Sequence, residues 1–328
     1  MHVMSEMEIE IVTRSSNLPD LGEGDFFHSK EMFVITENTP LHKPYMLIAR
    51  DSTGQIVAHM LGIVIRKRIW LPPFMYAYGR VYGEGVYADS SDKQRVFPLL
   101  LERMTKIFRR TFCLYFEFSD LSTKMFGYRN FREQGYFHVN WQEIHNSFLD
   151  DNPEDMLSEK MKKKLQLARK RNVATHLVTD PDEITTFHKL TKKYFRFRVR
   201  RQTPPKKQFI QFAQSANTKL FASYVNDKMI ASAVCAYSGG NAYLWMLASK
   251  RKTYFTAHPD AAIVWHIIND AYNSGMQRIC FLDAGLPIRP NSYRDFILDF
   301  GGKPVTKYRW FNISVPWMNR IAHWMFNS

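Results

Sequence analysis

The chain has 328 residues, a formal net charge of +14, and 45% hydrophobic and 15% aromatic residues. That length accommodates two domains of ordinary size, each with its own core, and that composition excludes an intrinsically disordered chain. The opening MHVMSEMEIEIV lacks the basic start and apolar core of a signal peptide, and no apolar run reaches the length of a membrane span, so a cytoplasmic protein is expected.

Residues 46–64 read as two strands about a turn at Gly54. In residues 70–87, WLPPFMYAYGRVYGEGVY, Tyr76, Tyr78, Arg80 and Tyr82 alternate. Read as structure, this is an aromatic-rich central strand. Read as function, it lines a cleft in which Tyr78 and Arg80 are available to a sugar or phosphate. Cys113, Cys235 and Cys280 all lie in apolar strand-like surroundings, which points to free buried thiols.

From residue 156 a basic helix to 171, a strand over 173–178 and a helix opened by Asp180 and Pro181 are expected. Residues 157–207 hold sixteen lysines and arginines against four acidic residues, twelve of the fourteen excess charges. Such a concentration steers polyanions or phosphate-bearing substrates, or else is a solvated face. Tyr194, Phe195 and Phe197 interleave with Arg196, Arg198 and Arg200 and favour the binding reading.

Residues 220–237 repeat the strand-turn-strand form of 46–64, with Asn226 and Asp227 at the turn. Tyr243 and Trp245 then alternate along a strand. Lys250, Arg251 and Lys252 follow, either as point charges for a phosphate or as a solvated turn. His258 stands at the edge of a helix opened by Pro259 and closed by Gly275, with Ala261, Val264, Trp265, Ile268 and Tyr272 on its expected inner face. A buried strand over 278–283 ends in Asp283, and a loop over 284–290 follows. A short helix capped by Asn291 or Ser292 and stopped by Gly301 and Gly302 is expected next, with a last strand over 305–313. Asp283 is either a general base or a structural carboxylate that caps the following loop or pairs with Arg289 or Arg294. In the tail, Trp317, Ile321, Trp324 and Met325 share one helical face, beside Arg320 and His323, suited to a membrane surface or to covering a domain seam.

The segments FCLYFEF and YRNF in the first half answer RICFLD and YRDF in the second, with ten residues from Phe118 to Tyr128 and from Asp283 to Tyr293. The order helix, strand, short helix, strand resembles the close of a GNAT acyltransferase module. Gly275, Asp283, Gly285 with Leu286, and Phe300 with Gly301 resemble its FemABX-like branch of peptidyl and acyl transferases, whose members are also tandem. The resemblance implies an α+β fold of two tandem GNAT-like domains with mixed central sheets, over 1–150 and 151–328, divided in the acidic stretch 150–155. Residues 315–328 are expected to pack back on the first domain. It further implies transfer of an acyl or aminoacyl group from acyl-CoA or aminoacyl-tRNA to an amine of a cell-envelope precursor or amino sugar. Asp283 and Tyr293 are the catalytic candidates. Tyr78, Arg80, Arg196, Arg198, Arg200, Tyr243, Trp245, Lys250, Arg251, Lys252, His258, Arg289 and Arg294 are the binding candidates, and no metal is called for.

Two departures stand out. Phe296 and Ile297 replace the family's Phe-Lys pair, whose lysine steadies charge at the reacting carbonyl. ASKRKTYFTAHPD replaces the Gly-rich loop that holds the coenzyme A pyrophosphate. Both keep open the alternative of a polyanion- or RNA-binding or scaffold protein on a degenerate transferase fold.

Overall fold

A computed structural model describes residues 7–22, 24–69, 74–119, 121, 126–149, 152–196 and 203–327. In chain order these form β1 (Glu8–Val12), α1 (Lys30–Glu37), β2 (His42–Arg50), β3 (Ile56–Arg68), β4 (Met75–Tyr82), β5 (Val86–Tyr87), α2 (Lys93–Arg110), β6 (Cys113–Ser119), α3 (Tyr128–Glu133) and β7 (Phe137–Ser147). Then follow α4 (Glu159–Lys170), β8 (Ala174–Leu177), α5 (Pro181–Phe195), α6 (Lys206–Gln214), β9 (Thr218–Val225), β10 (Lys228–Ser238), β11 (Asn241–Ser249), α7 (Pro259–Asn273), β12 (Arg278–Gly285), α8 (Ser292–Leu298), β13 (Lys303–Ile313) and α9 (Pro316–Asn327). Among the described residues no helix is long and apolar enough to cross a membrane.

The chain divides into two compact units, one of Met1–Asn140 with Lys307–Ser328 and one of Trp141–Thr306. The chain passes from the first to the second within β7 and returns within β13. Residues 150 and 151 of the expected boundary stretch, and 70–73 of the tyrosine-rich segment, lie outside the described residues.

In the first unit the strand order is β1, β2, β3, β4, β6, β13, with β5 beside β3. Neighbours are antiparallel except β4 and β6, which run parallel across the α2 crossover. Asp92 starts α2 by accepting from the amides of Gln94 and Arg95. Val96, Phe97, Leu100, Met104 and Phe108 on its inner face are all 1% exposed or less. The helix lies so close to the sheet that a Cβ on Gly79 of β4 would stand 2.6 Å from the Phe108 ring. Further along the core, Phe131 stacks on Trp310 with centroids 4.7 Å apart. Tyr78 is buried in β4 and stacks on Tyr115 at 5.3 Å, so the alternating tyrosines form part of a central strand.

The second unit has the order β7, β12, β11, β10, β9, β8, with β11 and β12 its parallel pair. The β9–β10 turn is made by Asn226 and Asp227, both with positive φ, as a two-residue hairpin requires. Helix α7 buries Ala261, Val264 and Ile268 as its spacing predicts. Trp265 is half-buried and packs against the core, whereas Tyr272, expected beside them, is corrected: it is 39% exposed. The helix packs against both the sheet and α4, so its buried stripe widens toward Ile263, Ile267 and Ala271, and those two aromatics fall at its margin. Strand β12 also runs two residues past its expected end at Asp283, to Gly285.

Candidate active site

The distinctive feature of the second unit is a split between parallel strands. β11 and β12 are paired from Asn241↔Arg278 to Leu244↔Phe281 and then part, although the strands continue to Ser249 and Gly285. Both bulge at this level. Against β10, Leu244 faces Cys235 and Met246 faces Val234, so Trp245 is the inserted residue. Against β7, the register of β12 shifts between Phe281 and Gly285, across Leu282, Asp283 and Ala284. Two bulges turn the strands out of their common ladder, and a wedge opens whose walls carry backbone groups not used between β11 and β12.

Trp245 and Asp283 thus lie just beyond the split, one on each wall. Trp245 packs on Phe212 of α6 with centroids 5.4 Å apart, and Tyr243, two residues earlier, is buried. Asp283 is half-buried. The carbonyl of Leu282 before it accepts from Trp141 Nε1 at 3.1 Å, which fixes the bulge from the β7 side. After Asp283, Gly285 takes φ +84° and approaches Asn291 so closely that a Cβ would stand 2.4 Å from Asn291 Nδ2. Asn291 donates to the Ala284 carbonyl at 2.8 Å and accepts from the Tyr293 amide at 2.9 Å, latching the start of α8 to the end of β12. Tyr293 therefore enters at a fixed height, half-buried, on the first turn of α8.

Arg294 is committed to the intervening loop. Its guanidinium donates to Gln142 Oε1 at 2.6 Å, to the Leu286 carbonyl at 3.1 Å and to the Arg289 carbonyl at 3.0 Å. Such a clamp positions the loop. The Arg289 side chain is exposed, as are Lys250, Arg251 and Lys252. Lys250 Nζ donates to the Met229 carbonyl at 2.8 Å. Burial first, and then Lys193 and Lys228, lower its pKa.

The turn into α7 lacks glycine, and His258 adopts the left-handed conformation instead, with φ 44° and ψ 54°. Its pKa is lowered, chiefly by burial, with Lys164 adding to the effect and Asp260 opposing it. Among the described residues no side chain caps α7 from the position of His258, but Asp260 Oδ1 accepts from the Ala261 amide at 3.1 Å. A carboxylate therefore occupies ground that a diphosphate would need. Ile297, in the place of the family lysine, is 0% exposed in the core.

The fold thus brings Tyr243, Trp245, Lys250, Arg251, Lys252, His258, Asp283, Arg289, Tyr293 and Arg294 onto the two strand–loop–helix connections of one parallel pair. Tyr78 and Arg80 belong to the first unit, where Arg80 meets Glu117 at 3.4 Å and the Tyr82 ring at 4.6 Å. Arg196 is exposed at the end of α5, whereas Phe195 beside it is buried in the core. Arg198 and Arg200, with Phe197, lie outside the described residues. Sequence reading missed Trp141 and Gln142. Both act from β7 on a segment about 140 residues away, and no local pattern records such pairings. Among the described residues no group of three or more His, Cys, Asp or Glu is placed to hold a metal ion.

A mixed sheet with one parallel pair joined by a crossover helix, present in two tandem copies of which the second is split, defines the class as the GNAT fold. Residues 157–287 match the family model described as an acetyltransferase (GNAT) domain. Among solved structures the chain is similar to FemX, at 13% identity and a TM-score of 0.62 over 94% of this chain and 96% of that one. It is also similar to a tandem GNAT protein from the clavulanic acid biosynthesis pathway, at 10% identity and 0.58 over 94% and 99%. A third likeness is to the C-terminal domain of an Agrobacterium fabrum protein assigned as a lysylphosphatidylglycerol synthetase, at 11% identity and 0.57 over 92% of each. Comparison with curated protein sequences finds no match. Residues 157–287 thus carry a GNAT acetyltransferase domain, and the chain as a whole shares its fold with FemX and with the tandem GNAT protein.

Proposed function

We propose that this protein transfers an aminoacyl or acyl group from aminoacyl-tRNA or acyl-CoA to the amine of a cell-envelope precursor or amino sugar, in the cytoplasm where both donors occur. The observation that supports this reading best is the wedge between β11 and β12 with Asp283 on its wall. The amine nitrogen attacks the donor carbonyl carbon, and the bond to the ribose oxygen or thioester sulfur breaks as the tetrahedral oxyanion collapses. Asp283 takes the proton leaving the amine, and Tyr293 gives one to the departing oxygen or sulfur. Amides beyond the point where β11 and β12 cease to pair with each other steady the oxyanion, and the rigid walls supply orientation.

Of the two donors, aminoacyl-tRNA fits the start of α7 better. Asp260 and the absence of a Gly-rich loop disfavour a diphosphate there, while the exposed Lys163, Arg169, Lys170 and Arg171 around α4 offer point charges to a phosphate backbone. A second reading, RNA or polyanion binding or a scaffold role without transfer, draws its support from the buried Ile297. Thermal shift with acetyl-CoA, longer acyl-CoAs, and charged and uncharged tRNA at two salt concentrations, followed by transfer of labelled acyl group to an amine, tests both. Charged tRNA is expected to stabilise the protein and pass its label on. Salt-sensitive tRNA binding with no transfer would replace the first reading by the second.

A further inference from the structure

One end of the first unit's sheet gathers exposed apolar side chains of a kind that soluble surfaces avoid. Phe74 at the β3–β4 hairpin is 62% exposed and Phe112 before β6 is 89% exposed. On α9, Trp317, Ile321, Trp324 and Met325 are each at least half exposed along one face. Register places them together. Arg68 at the end of β3 faces Met75 at the start of β4, and Ala77 of β4 faces Cys113 at the start of β6. Ile313 at the end of β13 faces Tyr115, and the Ser314 amide donates to the Leu114 carbonyl at 2.9 Å, so α9 leaves from this same end. The helix is fixed by Asn319, whose Nδ2 donates to the Gly135 carbonyl at 2.9 Å, and by Phe326 stacked on Phe137.

The charge there is predominantly positive, the exposed Glu133 beside Gly135 being paired with Arg129 at 2.7 Å. Arg66, Lys67 and Arg68 end β3, Arg109 and Arg110 end α2, and Arg320 lies on α9. Segments 41–43, 65–69, 74–77, 109–115 and 313–326 contain no aspartate or glutamate. Tryptophan and phenylalanine ringed by arginine and lysine match the headgroup layer of an anionic bilayer, where indoles rest at the interface and cations meet lipid phosphates. A second copy of the chain would present the same cations to one another and is disfavoured.

We propose that this end of the first unit, built from α9 and the β3–β4 and α2–β6 corners, docks the protein on an anionic membrane surface. It does not depend on acyl transfer, because binding is measured with vesicles that carry neither donor nor acceptor. The full chain is mixed with vesicles of about one part phosphatidylglycerol to two parts phosphatidylcholine, or of phosphatidylcholine alone, and pelleted. The expected result is pelleting with the anionic vesicles only. Trp317→Ser with Trp324→Ser, and separately Arg109→Gln with Arg110→Gln, should each reduce the bound fraction about tenfold with the melting temperature unchanged. If the tryptophan pair fails to fold, the arginine pair carries the test. No binding to anionic vesicles, binding unchanged by the arginine pair, or a wild-type dimer that the variants dissolve would overturn the proposal.

Discussion

Each unit holds one parallel strand pair joined by a crossover helix, and the two pairs end differently. In the first, the β4–β6 ladder runs from Ala77↔Cys113 to Tyr82↔Ser119, and the Gly83 amide then closes on the Ser119 carbonyl at 2.7 Å. In the second, the β11–β12 ladder stops at Leu244↔Phe281. The crossover helices differ in the same sense, α2 being capped by Asp92 while α7 begins on the left-handed His258. At the shared ten-residue spacing, Phe118, 1% exposed, stands where the second unit has Asp283. One copy of the framework is zipped and packed with aromatics, the other keeps its strands apart with a carboxylate at the parting. The same topology closes its ladder in one unit and leaves it parted in the other, where the bulges fall at the parting itself, whereas the β4–β6 shift between Ala77 and Tyr78 lies at the start of that ladder.

The largest effect should come from the residue that most separates the copies. Asp283→Asn is expected to lower the transfer rate by about 10²- to 10⁴-fold with an unchanged melting temperature, measured by label transfer. Phe118→Leu should instead lower stability, by about 1–2 kcal/mol in denaturant titration, and leave transfer by the folded protein alone.

Acid should weaken the first unit through its buried histidines. His59 is held at about 4, first by burial and then by His28, against an ordinary value of 6.5. Between those values the unfolded chain binds the proton and the folded one does not, so stability falls as pH falls from 6.5 toward 4. The full contribution is about 3 kcal/mol; His42, held at about 4 by burial, acts over the same window, so His59→Gln should lessen the fall of the melting temperature without abolishing it. A smaller change tests the zipped sheet. Gly79→Ala forces a methyl against Phe108 and should cost about 1–3 kcal/mol.

The smallest effects concern the helix starts. Asp92→Ala removes a working cap and should cost about 1 kcal/mol. Asp260→Asn frees the α7 start of negative charge and should tighten acyl-CoA binding by about two- to tenfold, read by thermal shift, with stability nearly unchanged. Equal responses of the two helices would erase the distinction between them.

Much of the framework was legible because it is written locally. The turn at Asn226 and Asp227, the Pro259 start of α7 and the Gly301 stop after α8 rest on backbone preferences that a few residues reveal. The place of Asp283 near the end of β12 emerged from repeat and resemblance, although the strand runs on to Gly285. What stayed hidden is non-local. The split at Leu244↔Phe281 follows from register against β7 and β10, Arg294 is spoken for by carbonyls and by Gln142, and His258 does the conformational work for which a glycine was sought. Tyr272 was misplaced because a helix covered on two sides has no single inner face.

The passage of the chain between units inside β7 and β13 bears on the order in which a ribosome can deliver a finished fold. The second unit is continuous, Trp141–Thr306, and all its strands have emerged before the first can finish. β6 waits beside β4 for β13, nearly two hundred residues later in synthesis, with one edge open and Phe116 and Phe118 on it. A nascent chain halted near residue 300 would therefore display an aromatic strand edge to its neighbours, and this protein should be unusually sensitive to late truncation and to the supply of chaperones.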